Sequence, residues 1–247
     1  MRSLWKLTWT EMKLFLREPI ATFFTLGFPL MVLFLFGSIW GNRPSREFGG
    51  FGFVDISVPG YTAVIIASTG LIAVAVSMAT YREKGILRRF RATPLRPRTV
   101  LGSQVFVFFA VTALGMVLLI IAGLLVFGLR FGGNAISVFA GFSLSTLSFF
   151  SMGFILAGLM PTARTAQIVS MVFFYPMIFL CGAFIPSHIL PETVRRFAEV
   201  LPLTHVVTLL RGLWAGHAWG EHLKEVLVLA GLLVVCVMVS AKTFRWE

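Results

Sequence analysis

Four histidines, His188, His205, His217 and His222, fall in one stretch of the C-terminal third, and His217 and His222 stand five apart with Glu221 between them. Imidazole is the commonest metal ligand, yet no cysteine spacing or paired carboxylate nearby completes a ligand set or a nucleophile site. Interfacial or solvated histidines are the ordinary reading. Cys181 and Cys236 both lie inside apolar runs, which reads as single buried thiols and not a disulfide framework. No GxxxxGK[ST] phosphate loop occurs, so the chain does not bind ATP by that device. It is not expected to be an enzyme by itself or to hold a metal.

The other chemistry-bearing stretch is Tyr81 to Arg98, YREKGILRRFRATPLRPR. It sets Arg82, Lys84, Arg88, Arg89, Arg91, Arg96 and Arg98 against one acid, Glu83. Ile86, Leu87 and Phe90 share one side of a helical wheel, and Pro94 and Pro97 stop the helix. Inner loops of any membrane protein collect Lys and Arg to set orientation. A loop serving topology alone has no use for Gly85, the patterned apolar residues or the Thr93-Pro94-Leu95 stop. The segment reads as a plug that receives force from a partner.

The elements around it must be membrane spans. Hydrophobic residues make up 57% and charged residues 13% of the 247, against roughly 45–50% apolar for a soluble domain, and mean hydropathy is +0.90. The formal charge of +11 could suggest nucleic acid, but the cations flank apolar spans and do not form a polar face. Nucleic acid is therefore not an expected partner; a lipid bilayer is.

The pattern predicts an all-α integral membrane protein with six transmembrane helices, forming one domain over residues 1–247. Residues 2–18 read as an amphipathic interfacial helix, with Trp5, Trp9, Met12 and Leu16 on one stripe and Lys6, Thr10, Lys13 and Arg17 on the next. Pro19 ends it. The first span is Ile20 to Trp40, uncleaved and bent by Gly27 and Pro29. A polar loop, Gly41 to Pro59, leads to a second span, Gly60 to Thr80, where Ala75 and Ala79 suit close packing. After the basic segment come a third span, Leu101 to Leu129, a turn at Arg130 to Asn134, and a fourth span, Ala135 to Met160. The fourth carries Ser143, Ser145, Thr146, Ser148 and Ser151, read as interhelix hydrogen-bonding groups or substrate contacts. The fifth is Thr165 to Ile185.

Residues 186–222 are too polar and Pro-broken to span, and read as external re-entrant or interfacial helices. Pro191 and Glu192 open one helix in first-turn positions, with Val194, Phe197, Ala198 and Leu201 on its apolar face. Pro202 breaks it, and Leu203 to Trp214 forms a second piece of about 12 residues, re-entrant in length. Trp214 and Trp219 are expected at the headgroup level. The sixth span is Leu223 to Ala241.

Orientation follows from the cations. With both termini cytoplasmic, the inner segments hold Arg2, Lys6, Lys13, Arg17, the seven of the basic segment, Arg164, Lys242 and Arg245. Outside lie half as many: Arg43, Arg46, Arg130, Arg195, Arg196, Arg211 and Lys224. No span carries Asp, Glu, Lys, Arg or His in its central portion, which disfavours an ion-coupled carrier or a voltage sensor. An ion-coupled carrier or channel, and a membrane enzyme or scaffold, stay as the alternatives to a body driven by another chain.

Two stretches carry a family resemblance. YREKGILRRFRATPLRPRTVLGSQ is similar to the motif after the second span in membrane subunits of type-2 ABC exporters. LCGAFIPSHILPETVRRFAEVLPLTHVVTLLRGLWAG resembles the stretch after their fifth span: Gly182 and Pro186, Leu190-Pro191, Leu201-Pro202-Leu203-Thr204, then Arg211-Gly212. Leu201 departs from the Asn common there. The resemblance implies a permease subunit in the cell membrane, paired with a second copy or a paralogue and with two separate ATPase subunits that hold ATP and Mg, so that this chain binds no cofactor. It implies export of an amphiphilic or hydrophobic substrate of the drug, lipid or glycolipid class. The coupling helix would comprise Glu83, Gly85, Ile86, Leu87, Arg88, Arg89, Phe90, Arg91, Thr93 and Pro94, with Ile86, Leu87 and Phe90 as anchors and the arginines facing acidic groups or anionic lipid. The family analogy sets a substrate path near Ser68, Thr69, Gln167, Met171, Phe173 and Phe174. The outer helices, marked by Pro186, Pro191, Pro202 and Arg211, would act as an external gate.

Overall fold

The computed structural model describes residues 8–9, 12–13, 22–45, 50–86, 97–184 and 191–243, all helix, turn or coil without a strand among them. In chain order they form α1 (Phe28–Trp40), entered through a π-helical turn at Phe23–Gly27; α2 (Phe53–Glu83), π-helical over Ser68–Val74; α3 (Pro97–Phe127); α4 (Ala135–Leu159); α5 (Ala163–Leu180); α6 (Glu192–Ala198); α7 (Pro202–Ala215); a 3₁₀ turn, Trp219–His222; and α8 (Leu223–Thr243). Five stretches are long and apolar enough to cross a membrane: α2, α3 from Leu101, α4, α5, and Trp219–Ser240. The expected first span is represented by the shorter apolar helix Thr25–Trp40. Its π-turn immediately precedes Pro29, which occupies the first turn of α1, where a missing N–H is tolerated. In the interfacial helix only Thr8, Trp9, Met12 and Lys13 are described. Thr8 is buried and Met12 packs on the Leu26, Val74 and Phe108 cluster, while Trp9 is exposed with the Lys13 ammonium 5.3 Å from its ring, so Trp9 and Met12 do not share a face.

α2 is the axis of the bundle. It packs against α1, α3, α4, α5 and α7, and nearly every side chain from Phe53 to Ala67 is buried. The expected polar loop to Pro59 is corrected here, because the helix starts at Phe53 and passes through Pro59. Asp55, which looks like a loop residue, is buried in the first turn with its carboxylate fully engaged. It accepts from the Gly52 amide at 3.0 Å, the Asn42 side chain at 2.8 Å and the Arg130 amide at 2.8 Å. The Asn42 side-chain oxygen in turn accepts from the amides of Val54 and Asp55, both at 3.1 Å, so the first orphan donors of α2 are satisfied.

Lipid tails are as apolar as leucine, so helices associate in a membrane through close packing and not through water exclusion. A close crossing of α2 and α4 is Gly70 on Gly153. A methyl group on Gly153 would collide with the Gly70 carbonyl, and one on Gly70 would lie 2.7 Å from Phe149 Cβ. Ala75 and Ala79, the predicted small pair, are both fully buried. The serines of α4 mostly bond within their own helix. Ser143, Ser145 and Ser148 donate to the carbonyls of Phe139, Gly141 and Leu144, and Ser148 also reaches across, to Leu229 in α8 at 2.9 Å.

Local stops and starts follow capping chemistry. Leu129 closes α3 by donating to Gly123 while Gly128 takes φ +63°. Asn134 caps α4, and Thr162 and Thr165 cap α5 reciprocally. α5 ends at Leu180, earlier than the predicted Ile185. Pro191 stands one residue before α6 as its N-cap; α6 already ends at Ala198, so Pro202, expected to break it, instead opens α7 at its first turn.

Candidate functional site

The two ends of α2 hold the residues that the sequence singled out. At the Glu83 end the helix stops because Gly85 adopts φ +65°, with its amide donating to the Arg82 carbonyl at 3.0 Å. The expected coupling helix therefore does not include Glu83 in one continuous run: Glu83 is in the last turn of α2, and the chain turns at Gly85 before Ile86. Leu87, Arg88, Arg89, Phe90, Arg91, Thr93 and Pro94 lie outside the described residues. Arg82 and Glu83 both reach the reversal between α4 and α5. Arg82 donates to the carbonyls of Gly158, at 3.1 Å, and Met160, and Glu83 accepts the Ala163 amide at 2.8 Å. Gln104 of α3 donates to the Tyr81 hydroxyl at 3.0 Å. Arg164 is exposed one residue into α5.

The residues named for a substrate path do not converge on one cavity. Ser68 and Thr69 open the π-helical part of α2, which packs on α5. The Ser68 hydroxyl donates to the Ile65 carbonyl at 3.0 Å, while Thr69 is fully buried with its hydroxyl unpartnered. Phe174 is buried and Met171 half-buried, but Gln167 and Phe173 lie on the exposed face of α5 with Ile168, Val172, Tyr175 and Phe179. A cavity of about 10 Å³, room for one water at most, lies elsewhere, between Pro59, Thr62, Met116, Val138, Leu210 and Trp214.

At the other end of α2, Arg211 of α7 is half-buried. Its Nε donates to the Ile56 carbonyl at 3.0 Å, and one terminal nitrogen donates to Gly182 at 2.9 Å and Ala183 at 3.4 Å. Among the described residues no carboxylate pairs with it. The guanidinium fork suits three carbonyl acceptors arriving from two chain segments. Pro202 is half-buried and Pro191 exposed, and Pro186 lies outside the described residues. Trp214, expected at the headgroup level, is buried and donates its indole N–H to the Arg130 carbonyl at 3.1 Å.

Two of the histidines, His217 and His222, stack on one another. The His217 and His222 rings lie 5.7 Å apart and 7° from parallel, and Glu221 and Glu225 stand 3.6 and 3.8 Å from their Nδ1 atoms. His222 packs its buried Nε2 onto Gly212, where any side chain would collide with it. Among the described residues no three of His, Cys, Asp and Glu are grouped to hold a metal ion.

Sequence reasoning missed the Asn42–Asp55 cap, the Gly70–Gly153 crossing and the grip of Arg82 and Glu83 on the neighbouring reversal. Glycines inside apolar spans were the available signal for the crossing. The Arg130 contact of the cap and the grip depend on partners 75 to 80 residues away, which no local pattern announces.

Comparison with known proteins agrees with this architecture. Residues 2–214 match the family described as ABC-2 type transporter. The daunorubicin resistance ABC transporter permease protein DrrB1 of Streptomyces coeruleorubidus is 28% identical over 96% of this chain and 84% of its own length. Nodulation protein J of Bradyrhizobium diazoefficiens is 25% identical over 79% of this chain and 71% of its own. The probable multidrug ABC transporter permease YbhS of Escherichia coli K12 is 22% identical over 76% of this chain and 49% of its own. With residues 2–214 matched and, among the described residues, five helices long and apolar enough to cross a membrane, the chain is a multi-pass membrane protein that belongs to the ABC-2 type transporter family.

Proposed function

We propose that this chain is the permease half of an ATP-driven exporter in the cell membrane. It pairs with a second permease, either its own copy or a paralogue, and with two ATPase subunits that bind Mg-ATP. Both termini and the segment from Ile86 to Pro94 face the cytoplasm, and α1 with its preceding π-turn supplies a sixth span. The observation that carries the reading is the run of α2, which extends unbroken from the Asp55 cap and the Arg211 contacts to the Glu83 end. A push on the cationic segment after Gly85 enters the helix on which every other span except α8 packs. Closure of the ATPase pair shifts that helix and switches the path between inward and outward access.

The substrate is amphiphilic or apolar. Aromatic residues, methionine and hydroxyls line the π-helical part of α2 and the facing α5, and the charged residues of α2 stand at its ends. Flexible apolar surfaces accept several ligands. One relative is named for daunorubicin resistance and another for multidrug transport, which makes an aromatic drug of that class the first probe. α6 and α7, around Pro191, Pro202 and Arg211, cap the exit.

The test is Leu87→Ser and Phe90→Ser in the permease–ATPase complex. Both should insert and assemble normally yet hydrolyse ATP without export. Wild-type export per ATP in both variants sinks the docking role.

A further inference from the structure

Arg82 and Glu83 are consecutive, opposite in charge, and each meets a helix end of complementary polarity. The carbonyls that Arg82 engages, Gly158 and Met160, belong to the C-terminal turn of α4, where unpaired carbonyls carry partial negative charge. The amide that Glu83 accepts, Ala163, is the first of α5, where unpaired amides carry partial positive charge. Exchanging the two residues would set like against like. The reversal they hold is Met160, Pro161 and Thr162, and its far side is closed by the Thr162–Thr165 cap, with bonds of 3.2 Å each way. The last turns of α2 pack on α4 and α5, and Ala75, Met78 and Ala79 are buried there. Immediately beyond the grip, Gly85 in its left-handed conformation offers a turn with no side chain to resist it.

We infer that Arg82 and Glu83 are positioning residues that lock the end of α2 to the α4–α5 reversal, so that displacement of the segment after Gly85 moves α2, α4 and α5 as one body. The role in transport rests on the functional reading above; the lock itself does not. It makes the reversal part of the transmission and routes motion into α5, the helix facing the π-helical part of α2.

The test places spin labels at the exposed Lys84→Cys and Arg164→Cys in the permease–ATPase complex in lipid nanodiscs, with and without ATP trapped by vanadate. With Arg82 and Glu83 native, one narrow distance is expected, unchanged by ATP. In R82A/E83A the distance distribution broadens already at rest and shifts when ATP is trapped. E83Q, whose amide oxygen still accepts the Ala163 N–H, keeps the narrow distance. A narrow, ATP-independent distance in R82A/E83A overturns the lock, as does an ATP-dependent shift in the native background. Phe90→Ser, measured for export per ATP, reports separately on the functional reading. If it stays coupled while R82A/E83A broadens the resting distance, the lock stands and the transport role falls.

Discussion

Arg211 donates from Nε to the carbonyl of Ile56 at 3.0 Å, joining α7 to the first turn of α2 across 155 residues of chain. Its second arm holds Gly182 and Ala183 just after α5. Arg211→Ala strands three carbonyls that now share a charged donor, and should lower unfolding stability by about 2–4 kcal/mol. Arg211→Lys should recover only part, because a point ammonium cannot fork between two segments. Thermal unfolding in detergent reads both variants; an unchanged midpoint for Arg211→Ala would show that the contacts carry no net stability.

The Gly70–Gly153 crossing sets a second expectation. Gly153→Ala drives a methyl group into the Gly70 backbone, where nothing flexible can yield, and should cost about 1–3 kcal/mol. Gly231→Ala on α8 meets open space and should be neutral or stabilising by up to about 1 kcal/mol. Equal losses in the two variants would mean that the crossing is not the tight contact.

Stability should also depend on pH through His205. Burial in α7 is the main cause of its lowered pKa, with Lys224 adding to it and Glu225 and Glu199 opposing. A base whose folded pKa lies below its unfolded 6.5 binds fewer protons when folded, so stability is complete above about pH 7.5 and declines as pH falls through 6.5 towards the folded value. His205→Gln should flatten that limb of the melting-temperature profile between pH 7.5 and 5. A profile identical to that of the native chain assigns the acid limb to other groups.

The spans α3, α4, α5 and α8 are legible in the sequence because each is a long apolar run of at least 18 residues with few charges. α6 and α7 are legible too, through Pro191, Glu192 and Pro202. The start of α2 is not, since Asp55 and Pro59 are loop residues by local pattern. The Gly52 amide, the Asn42 side chain and the Arg130 amide, the last 75 residues away, together make a buried carboxylate tolerable there. Arg211 likewise reads as one more outer cation, because its acceptors are backbone carbonyls and backbone leaves no compositional trace. The α4 serines read as interhelix groups, yet the i−4 carbonyl is always within reach and takes most of them. At the coupling segment, Gly85 was visible, but whether it loosens a helix or ends one depends on φ, and its φ of +65° ends it.

On the function proposed above, this bundle moves nothing by itself and is driven through the segment after Gly85. Reconstitution of the chain in liposomes, alone and with its ATPase, with daunorubicin followed across the bilayer with and without ATP, decides this. Directional movement is expected only when ATPase and ATP are both present, and it is abolished by Phe90→Ser. Movement of the drug by the chain alone would overturn the proposal.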